Sequence, residues 1–509
     1  MEYTPISSVW EITMACNMRC GHCGSECSVK QPDELTPEEA LKLCDNLAEL
    51  GLKLITLSGG EPFTRPDWHK IAKRLTEHDI ITNIISNGWF IDDNIINMAS
   101  AAGIGTIAIS LDGNKEIHDS IRKEGSFNRV MNALEIMKKR GFTSSIVTTI
   151  MKHNLPLLPE IKEILINKGV SQWQLQIGTP MGNLKKNSHN VITPDQMEEI
   201  IDFAYEVMQE KTIRIALADD IGYYTKKITA IAGSIYGEGT VWQGCGAGKS
   251  VIGILHNGEI TGCTSLRDRN FIEGSIRETP LKELWTRPGA FAWNRELSIE
   301  KLTGFCKKCR YAEKCLGGCT SHKRFTGNTL TENNYCAYKS SIEKLIPKIN
   351  NIKDIKTLMA RAEKSISLNL NEVAEICLLK ALEISPSDVN ILNMLGYVYF
   401  QFKDYKRCME TNKKALKISH NNPYSLKGLG LALAKLGKTK EGVETLKKSI
   451  EFAEKDFMDP YHDLAVTLCE AGDLNQALEI LEKGRSISKS FEKQSQAIYE
   501  DLIKQKQNN

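Results

Sequence analysis

Residues 8–23 read SVWEITMACNMRCGHC and place three cysteines, Cys16, Cys20 and Cys23, directly after a strand-like run. Their spacing is C-x3-C-x2-C, and no fourth partner at close spacing completes a zinc-like set. A [4Fe–4S] cube has four irons, and cysteine thiolates are its usual protein ligands. Three close cysteines therefore leave one iron open to bind another molecule. The stretch predicts an iron–sulfur centre with an open coordination position.

This cysteine pattern resembles that of the radical S-adenosylmethionine (SAM) enzymes. In that family the open iron chelates the amino and carboxylate groups of SAM, and the reduced cluster cleaves SAM to a 5′-deoxyadenosyl radical. The resemblance implies a catalytic cluster on Cys16, Cys20 and Cys23, with SAM as cosubstrate. His22 stands where the family often carries an aromatic residue, so we expect it to stack near the adenine. Nothing in the spacing of Cys27 demands a role for it.

Length and composition limit the class of protein. A chain of 509 residues predicts more than one domain. Lys plus Arg (65) nearly balances Asp plus Glu (63), so bulk charge gives no reason to expect a nucleic-acid partner. The N-terminus has no signal-peptide pattern and no window of about 18 apolar residues occurs, so we expect a cytoplasmic protein without a membrane partner. Ten of the fifteen cysteines fall into two tight groups, which favours metal binding over disulfides.

Residues 1–230 alternate between strand-like and helix-like runs, a pattern typical of parallel βα units. Thr36 and Glu39 form a capping-box pattern before one helix, and Thr193 and Gln196 repeat it before another. Six such units match the partial (βα)6 barrel, similar to a TIM barrel, of the radical SAM family. Ligands of such α/β folds bind at the carboxyl ends of the strands. The predicted strands are Ser8–Thr13, Leu54–Leu57, Ile81–Ile85, Thr106–Leu111, Ser144–Ile150 and Gln172–Ile177.

Motifs that follow the second, third and fourth strands carry the expected SAM site. Two glycines after the second strand let the backbone approach a ligand closely, and the glutamate beside them accepts hydrogen bonds from an ammonium. Such a string is also typical of an ordinary βα turn. For Arg122, pairing with the SAM carboxylate and a solvent-exposed position on a helix are both open. The resemblance implies SAM contacts at Gly59, Gly60, Glu61, Pro62, Ser86, Asn87, Ser110, Asp112 and Arg122.

A second group of seven cysteines follows between about residues 240 and 340. Paired C-x2-C cysteines also occur in zinc ribbons, which is the alternative interpretation. The whole pattern resembles the SPASM extension that follows the radical SAM core in many maturases. That resemblance implies two auxiliary [4Fe–4S] clusters. One would be held by Cys306, Cys309, Cys315 and Cys336, and the other by Cys245, Cys263 and Cys319.

Two departures from the family pattern bear on the chemistry. Well-studied members complete the second auxiliary set with a cysteine upstream of the position of Cys245, but the upstream residues 237–244 (GEGTVWQG) contain none. We therefore expect an open iron, to which a substrate thiolate could bind, or an unexpected ligand. Sulfatase-maturing members have a catalytic aspartate directly after the position of Cys263, where this chain has Thr264. This difference argues against sulfatase maturation, although Asp268 is close in sequence.

The last third of the chain repeats with a period of 34 residues. Gly396 in LGYVYF recurs as Gly430 in LGLALA, and about four units are visible. The period and the small residues resemble tetratricopeptide (TPR) repeats, an all-α solenoid whose concave surface often binds extended peptides. A dimerisation or stability module is the alternative. The predicted domains are residues 1–230 (radical SAM core), 231–345 (SPASM) and 355–509 (TPR-like).

Together these features predict a radical SAM/SPASM enzyme that modifies a peptide or protein substrate. The modification would be a thioether or carbon–carbon cross-link, an oxidation or an epimerisation, because all four begin with hydrogen abstraction. A flavodoxin- or ferredoxin-type protein would supply the electron. Two alternatives are open: an enzyme acting on a small molecule such as a tetrapyrrole, and a non-catalytic iron–sulfur scaffold for electron transfer. The intact motif at residues 58–62 (SGGEP) argues against the scaffold, which has no need of a SAM site.

Overall fold

The computed structural model describes residues 3–218 and 220–507, and the chain divides into two compact units. One unit comprises Met1–Lys307 and Tyr311–Ser341. The other comprises Lys308–Arg310 and Ile342–Asn509. Within the described ranges no helix is long and apolar enough to cross a membrane.

The first unit is built on a sheet of ten strands. Their order is β10-β9-β8-β1-β2-β3-β4-β5-β6-β7, and β1 to β7 run parallel. The strands are β1 (Ser7–Thr13), β2 (Leu54–Gly59), β3 (Ile81–Ser86), β4 (Thr106–Ser110), β5 (Ser144–Ile150), β6 (Gln172–Ile177), β7 (Arg214–Leu217), β8 (Val251–Ile254), β9 (Glu259–Thr261) and β10 (Ile272–Ser275).

All six predicted strands are present, and the predicted α/β fold class is confirmed. Strand β7 was not predicted, because four residues are too few to show an alternating pattern. Strand β8 pairs in parallel with β1, and the antiparallel β9 and β10 continue from it. The sheet therefore runs through the predicted boundary at residue 230, and the division into a core and a SPASM domain stays a prediction.

Helices connect the strands and cover the sheet. The capping box of Thr36 is formed as predicted, since its side chain accepts from Glu39 N. The capping box of Thr193 closes a short 3-10 turn, and the α-helix begins only at Met197. The helices up to residue 236 are Pro37–Glu49, Trp68–Glu77, Asp93–Ala101, Lys115–Ile121, Ser126–Lys139, Leu158–Lys168, Gly182–Lys186, Met197–Glu210 and Lys226–Tyr236.

The core of the first unit contains β-branched and aromatic residues from the central strands. Trp10, Ile84, Ile109, Ile146 and Trp173 have no exposed surface. Burying one such side chain stabilises the fold by about 1.5–3 kcal/mol. The cysteine-rich part adds only short helices, namely Leu281–Thr286, Ala292–Arg295, Gly304–Lys308, Ala312–Cys315, Thr320–Gly327 and Ala337–Glu343.

The second unit consists of helical hairpins, in agreement with the predicted repeats. Four pairs are Ile355–Ser367 with Asn371–Ile384, Val389–Gln401 with Tyr405–Ile418, Pro423–Lys435 with Thr439–Phe452, and Asp459–Glu470 with Leu474–Ile487. Ile346–Asn350 precedes them, and Lys489–Gln494 and Gln496–Gln507 follow. A Cβ at Gly396 would lie 2.6 Å from Asn412 Nδ2, and one at Gly430 would lie 2.7 Å from Leu446 Cγ. The repeated glycines therefore stand where helices pack most closely.

Candidate functional site

The first three cysteines lie on the loop after β1, at the carboxyl edge of the sheet. A helix after β6, which sequence reasoning did not single out, holds this loop. Asn183 N donates to Cys23 O at 2.9 Å, and Asn183 Nδ2 donates to Cys20 O at 3.1 Å. A Cβ at Gly182 would lie 2.4 Å from Cys23 O, so only glycine allows this approach. The Gly-Asn pair after a predicted strand was the available signal.

The three thiols stand in surroundings that suit cluster ligands. Burial raises the pKa of Cys20 to about 11, although nearby Arg122 lowers it. A hydrogen bond from Cys27 lowers the pKa of Cys23, and Met18 N donates to Cys16 Sγ at 3.4 Å. Buried thiols become thiolates when a metal centre balances their charge. With N–H and S–H donors directed at two of the sulfurs, the donor set fits an iron–sulfur centre.

The predicted SAM motif brings the turns after β2 and β3 together through Glu61, which is fully buried. Its carboxylate accepts from Ser86 Oγ at 2.9 Å, from Asn87 N at 2.7 Å and from Phe63 N at 3.3 Å. Burial raises the pKa of Glu61 to about 7, although Asn87 and Ser86 lower it. A cation beside this carboxylate would stabilise its ionised form. The geometry therefore suits an ammonium ligand, and Pro62 buries its ring beside it.

The two glycines of this motif contact the backbone just before the cluster loop. A Cβ at Gly59, whose φ is +127°, would lie 2.2 Å from Thr13 O, and one at Gly60 would lie 2.1 Å from Ala15 O. Gly60 N donates to Thr13 O at 2.7 Å, and Glu61 N donates to Ala15 O at 2.8 Å. The backbone of the motif is thus fixed to the residues that precede Cys16.

We expect Gly60→Ala to weaken SAM binding about tenfold, because the added methyl overlaps a backbone oxygen and an overlap of this kind costs about 1–3 kcal/mol. Equilibrium binding of SAM to the reconstituted protein measures the effect. Gly105→Ala is the matched control, since its Cβ meets nothing closer than Asn83 Oδ1 at 3.5 Å. Equal affinities for both variants would contradict the expectation.

Asp112 and Arg122 form a buried ion pair beside the cluster loop, with Arg122 Nε 2.6 Å from Asp112 Oδ2. Both side chains are at least nine-tenths buried, so Arg122 is not the solvent-exposed helix residue that was the alternative. Burial raises the pKa of Asp112, but the charge and hydrogen bond of Arg122, together with contributions from His22 and His118, outweigh that effect and lower the pKa to about 2. Thr149 N donates to Asp112 Oδ1 at 2.9 Å. The SAM contacts of both residues stay predictions, as does that of Ser110, which ends β4 nearby.

His22 lies against this ion pair. Its Nε2 is 3.4 Å from Arg122 Nη2 and 3.5 Å from Asp112 Oδ2. Burial lowers the pKa of His22 to about 4, so the ring is neutral near pH 7. The ring borders a cavity of about 370 Å³ that Met151, His153 and Leu184 also line. The cavity is large enough for part of a ligand, and its lining combines apolar side chains with the polar Ser120, Asn187 and Asn190.

Six of the seven cysteines between about residues 240 and 340 form two neighbourhoods in the first unit. Burial raises the pKa of Cys319, and the charges of Cys245, Asp220 and Cys263 raise it further. Burial raises the pKa of Cys315 to about 12, with further contributions from Cys336 and Cys306. The structure thus brings together Cys245, Cys263 and Cys319 as one group and Cys306, Cys315 and Cys336 as another. These groups match the members of the two predicted ligand sets within this unit, and the ligand assignments stay predictions.

Cys309 belongs to Lys308–Arg310, the short segment of the second unit. Lys308 Nζ donates to Glu375 Oε2 at 2.5 Å, and Arg310 N donates to Glu372 Oε1 at 2.6 Å. Both carboxylates are almost fully buried. Residues on each side of Cys309 are therefore fixed by the first repeat, and its role as a ligand stays a prediction.

Tyr223 anchors the group around Cys319, and sequence reasoning missed it. Cys319 N donates to its hydroxyl at 2.9 Å, and Asn333 Nδ2 donates to it at 3.2 Å. Its φ of +97° is unusual for a residue with a side chain, and such strain clusters at functional sites. An apolar cavity of about 290 Å³ lies beside Tyr223 and Trp242, just before Cys245 in the chain.

The ligand geometry of a single metal ion differs from that of an iron–sulfur cluster. A zinc ion requires its ligands to converge on one point, whereas each thiolate of a four-iron cluster binds a different iron. Among residues 3–218 and 220–507, no three His, Cys, Asp or Glu side chains converge as ligands of a single ion.

Comparison with known proteins decides the family. A sequence model of the "Radical SAM superfamily" matches residues 10–165, and one of an "Iron-sulfur cluster-binding domain", SPASM, matches residues 245–310. AdoMet-dependent heme synthase of Methanosarcina barkeri is 30% identical over 349 residues, which are 67% of this chain and 98% of that protein. The chain belongs to the radical SAM superfamily. The family predicted from the cysteine spacing is confirmed, together with its SPASM extension.

Another relative is a maturase. Mycofactocin maturase MftC of Mycolicibacterium smegmatis is 27% identical over 329 residues, covering 64% of this chain and 80% of that protein. In the helical region, a model of "Anaphase-promoting complex, cyclosome, subunit 3" matches residues 367–449, which agrees with TPR-like repeats. The family cofactors are a [4Fe–4S] cluster with SAM, and the SPASM domain carries auxiliary iron–sulfur clusters.

Solved structures share the fold. Native anSMEcpe with bound AdoMet aligns with a TM-score of 0.54 at 19% identity, over 68% of this chain and 100% of that one. Streptococcus suis SuiB bound to S-adenosylmethionine aligns with a TM-score of 0.52 at 15% identity, over 65% of this chain and 76% of that one. At these identities the likeness establishes the fold.

Proposed function

We propose that this radical SAM enzyme modifies a peptide or protein substrate. The observation that carries the proposal is the helical repeat region. The heme synthase of Methanosarcina barkeri is matched over 98% of its length by 67% of this chain. About a third of this chain is therefore additional to what that small-molecule enzyme contains, and repeats of this kind form extended surfaces for polypeptides. Structures of anSMEcpe with a peptide and of SuiB with its precursor peptide give further support.

The proposed roles of the site residues follow from their positions. The core cluster on Cys16, Cys20 and Cys23, when bound, supplies the electron that cleaves SAM. Glu61 and the two glycines before it would hold the ammonium of SAM against the cluster loop. Arg122, fixed by Asp112, would attract the carboxylate of SAM. The cavity beside His22 would take the adenine, because stacking on the neutral ring requires no charge.

The surface proposed to bind the peptide lies on the first helices of the repeats. Val389–Gln401 and Pro423–Lys435 pack against each other and carry Tyr397 and Tyr424, which are 47% and 53% exposed. Exposed tyrosines offer a large contact area at a low entropic cost, as in many binding surfaces. Tyr424 also stacks on Phe457 with ring centroids 4.0 Å apart, which holds it in place.

The function is tested by anaerobic incubation of the reconstituted protein with SAM, a reductant and a peptide encoded beside its gene. We expect the peptide to raise 5′-deoxyadenosine formation several-fold and to change in mass, or in stereochemistry if it is epimerised. A flavodoxin or ferredoxin is the proposed natural electron donor. Tyr397→Ala with Tyr424→Ala should raise the KM for the peptide about tenfold, as expected for two lost aromatic contacts. Leu368→Ala, at another exposed position, is the control.

Tetrapyrrole modification is the second candidate, because the relative that is 30% identical is a heme synthase. The same assay with iron coproporphyrin III in place of the peptide separates the two. Stimulation by the porphyrin and none by the peptide would contradict a peptide substrate. The tyrosine variants would then leave porphyrin turnover unchanged.

A further inference from the structure

Lys323 is a fully buried lysine on the helix that begins directly after Cys319. Its Nζ donates to Leu316 O at 2.9 Å, and its backbone N donates to Cys319 O at 3.1 Å. The stem of the side chain lies so close to Gly317 that a Cβ there would be 3.2 Å from Lys323 Cδ. The side chain therefore runs back across the turn between Cys315 and Cys319.

That turn joins the two auxiliary cysteine groups, because Cys315 belongs to one and Cys319 to the other. Gly317 and Gly318 have φ of +79° and +77°, so the chain reverses within three residues. Burial lowers the pKa of Lys323 overall, although Cys245, Cys306, Cys315 and Cys319 each raise it. One ammonium thus lies within electrostatic range of both groups.

The charge of Lys323 has no carboxylate partner among the described residues. In the described part of the chain, no Asp or Glu lies within ion-pair distance of its Nζ, and the single carbonyl of Leu316 accepts from it. A buried ammonium is costly unless negative charge compensates it. Iron–sulfur clusters held by thiolates carry net negative charge, and cysteines of both predicted sets act on the pKa of Lys323. The lysine is therefore placed as a counter-charge for both.

We propose that Lys323 is a positioning residue that raises the reduction potentials of both auxiliary clusters. Each couple takes up one electron and loses no group, so the reduced cluster carries one more negative charge. A positive charge nearby at low dielectric stabilises that state more than the oxidised one. The proposal rests on the two ligand sets and is independent of which substrate the enzyme modifies.

The experiment is a redox titration followed by electron paramagnetic resonance on the full-length reconstituted protein. Lys323→Gln keeps an N–H donor for Leu316 O but removes the charge. We expect both auxiliary reduction potentials to fall by at least 59 mV, which is a tenfold change in the equilibrium constant of a one-electron reduction. The core cluster should keep its potential, and Lys323→Arg should restore both auxiliary values. Lys323→Met serves as a second neutral variant if Lys323→Gln loads its clusters poorly.

Lys314→Met is the matched control. Lys314 stands next to Cys315 in sequence but is exposed, so water screens its charge and both potentials should stay unchanged. A shift in neither cluster, or in only one, on Lys323→Gln would overturn the shared role. Unchanged potentials would mean that the hydrogen bond to Leu316 O, which glutamine keeps, is sufficient without the charge. A parent protein without auxiliary signals would overturn the ligand sets together with this proposal.

Discussion

Replacing Cys16, Cys20 and Cys23 together with alanine will abolish the formation of 5′-deoxyadenosine from SAM. The three thiols lie on one loop between β1 and the next helix, and hydrogen bonds from Asn183 to Cys20 O and Cys23 O hold that loop in place. Without thiolates the core cluster has no protein ligand, so reductive cleavage has no electron source. Chromatography of the anaerobic reaction with SAM and reductant measures the product.

The triple variant should keep the iron of the auxiliary clusters, because their cysteines lie elsewhere in the chain. Iron and sulfide analysis therefore separates loss of one cluster from general unfolding. Cys469→Ala in the second unit is the matched control and should form 5′-deoxyadenosine at the parental rate. Product formation by the triple variant would show that another set of ligands carries the catalytic cluster.

Arg122→Met will lower the free energy of unfolding by about 3–5 kcal/mol, because it leaves the carboxylate of Asp112 buried without its partner. The methionine retains most of the volume of the arginine stem, so lost packing contributes little. Asp112→Asn combined with Arg122→Met should recover part of the loss, since no uncompensated charge then remains. Chemical denaturation of the metal-free protein measures all three values on one scale.

Arg140→Met provides the comparison, because Arg140 Nε lies 2.6 Å from Asp93 Oδ1 but both side chains are 42% or more exposed. Removing a surface pair of this kind changes stability by about 0–1 kcal/mol. Similar losses of unfolding free energy for Arg122→Met and Arg140→Met would contradict the prediction, because the buried pair would then stabilise the protein no more than the exposed one. We also expect weaker SAM binding only for Arg122→Met.

Local features of the sequence were sufficient for much of the fold. A run rich in β-branched residues predicted Ser144–Ile150, and alternation of polar and apolar residues predicted Gln172–Ile177, both with the bounds that the structure shows. The capping box at Thr36 fixed the start of a helix, because its donors and acceptors lie within three residues of each other. The short strand β7 was not predicted, because it depends on pairing with β6 rather than on a pattern of its own.

Contacts between distant residues could not be predicted in this way. Asn183 lies far from Cys20 in sequence, and Tyr223 lies far from Cys319, yet each forms a hydrogen bond to that cysteine's backbone. The Gly-Asn pair at residues 182–183 is a weak signal because both residue types are common in turns, and nothing in the sequence marks Tyr223. Asn183 can meet Cys20 because the segments after β6 and β1 both leave the carboxyl edge of the same parallel sheet.

The sequence by itself determined the family and its cofactors, because cluster chemistry depends on cysteine spacing along a loop. Only the tertiary structure decided the electrostatic environment of those cysteines. It buries Arg122 with Asp112 beside the core loop and places Lys323 between the auxiliary groups. Burial and ion pairing depend on which segments pack together. Because this packing excludes water, it also sets how strongly each charge acts on its neighbours.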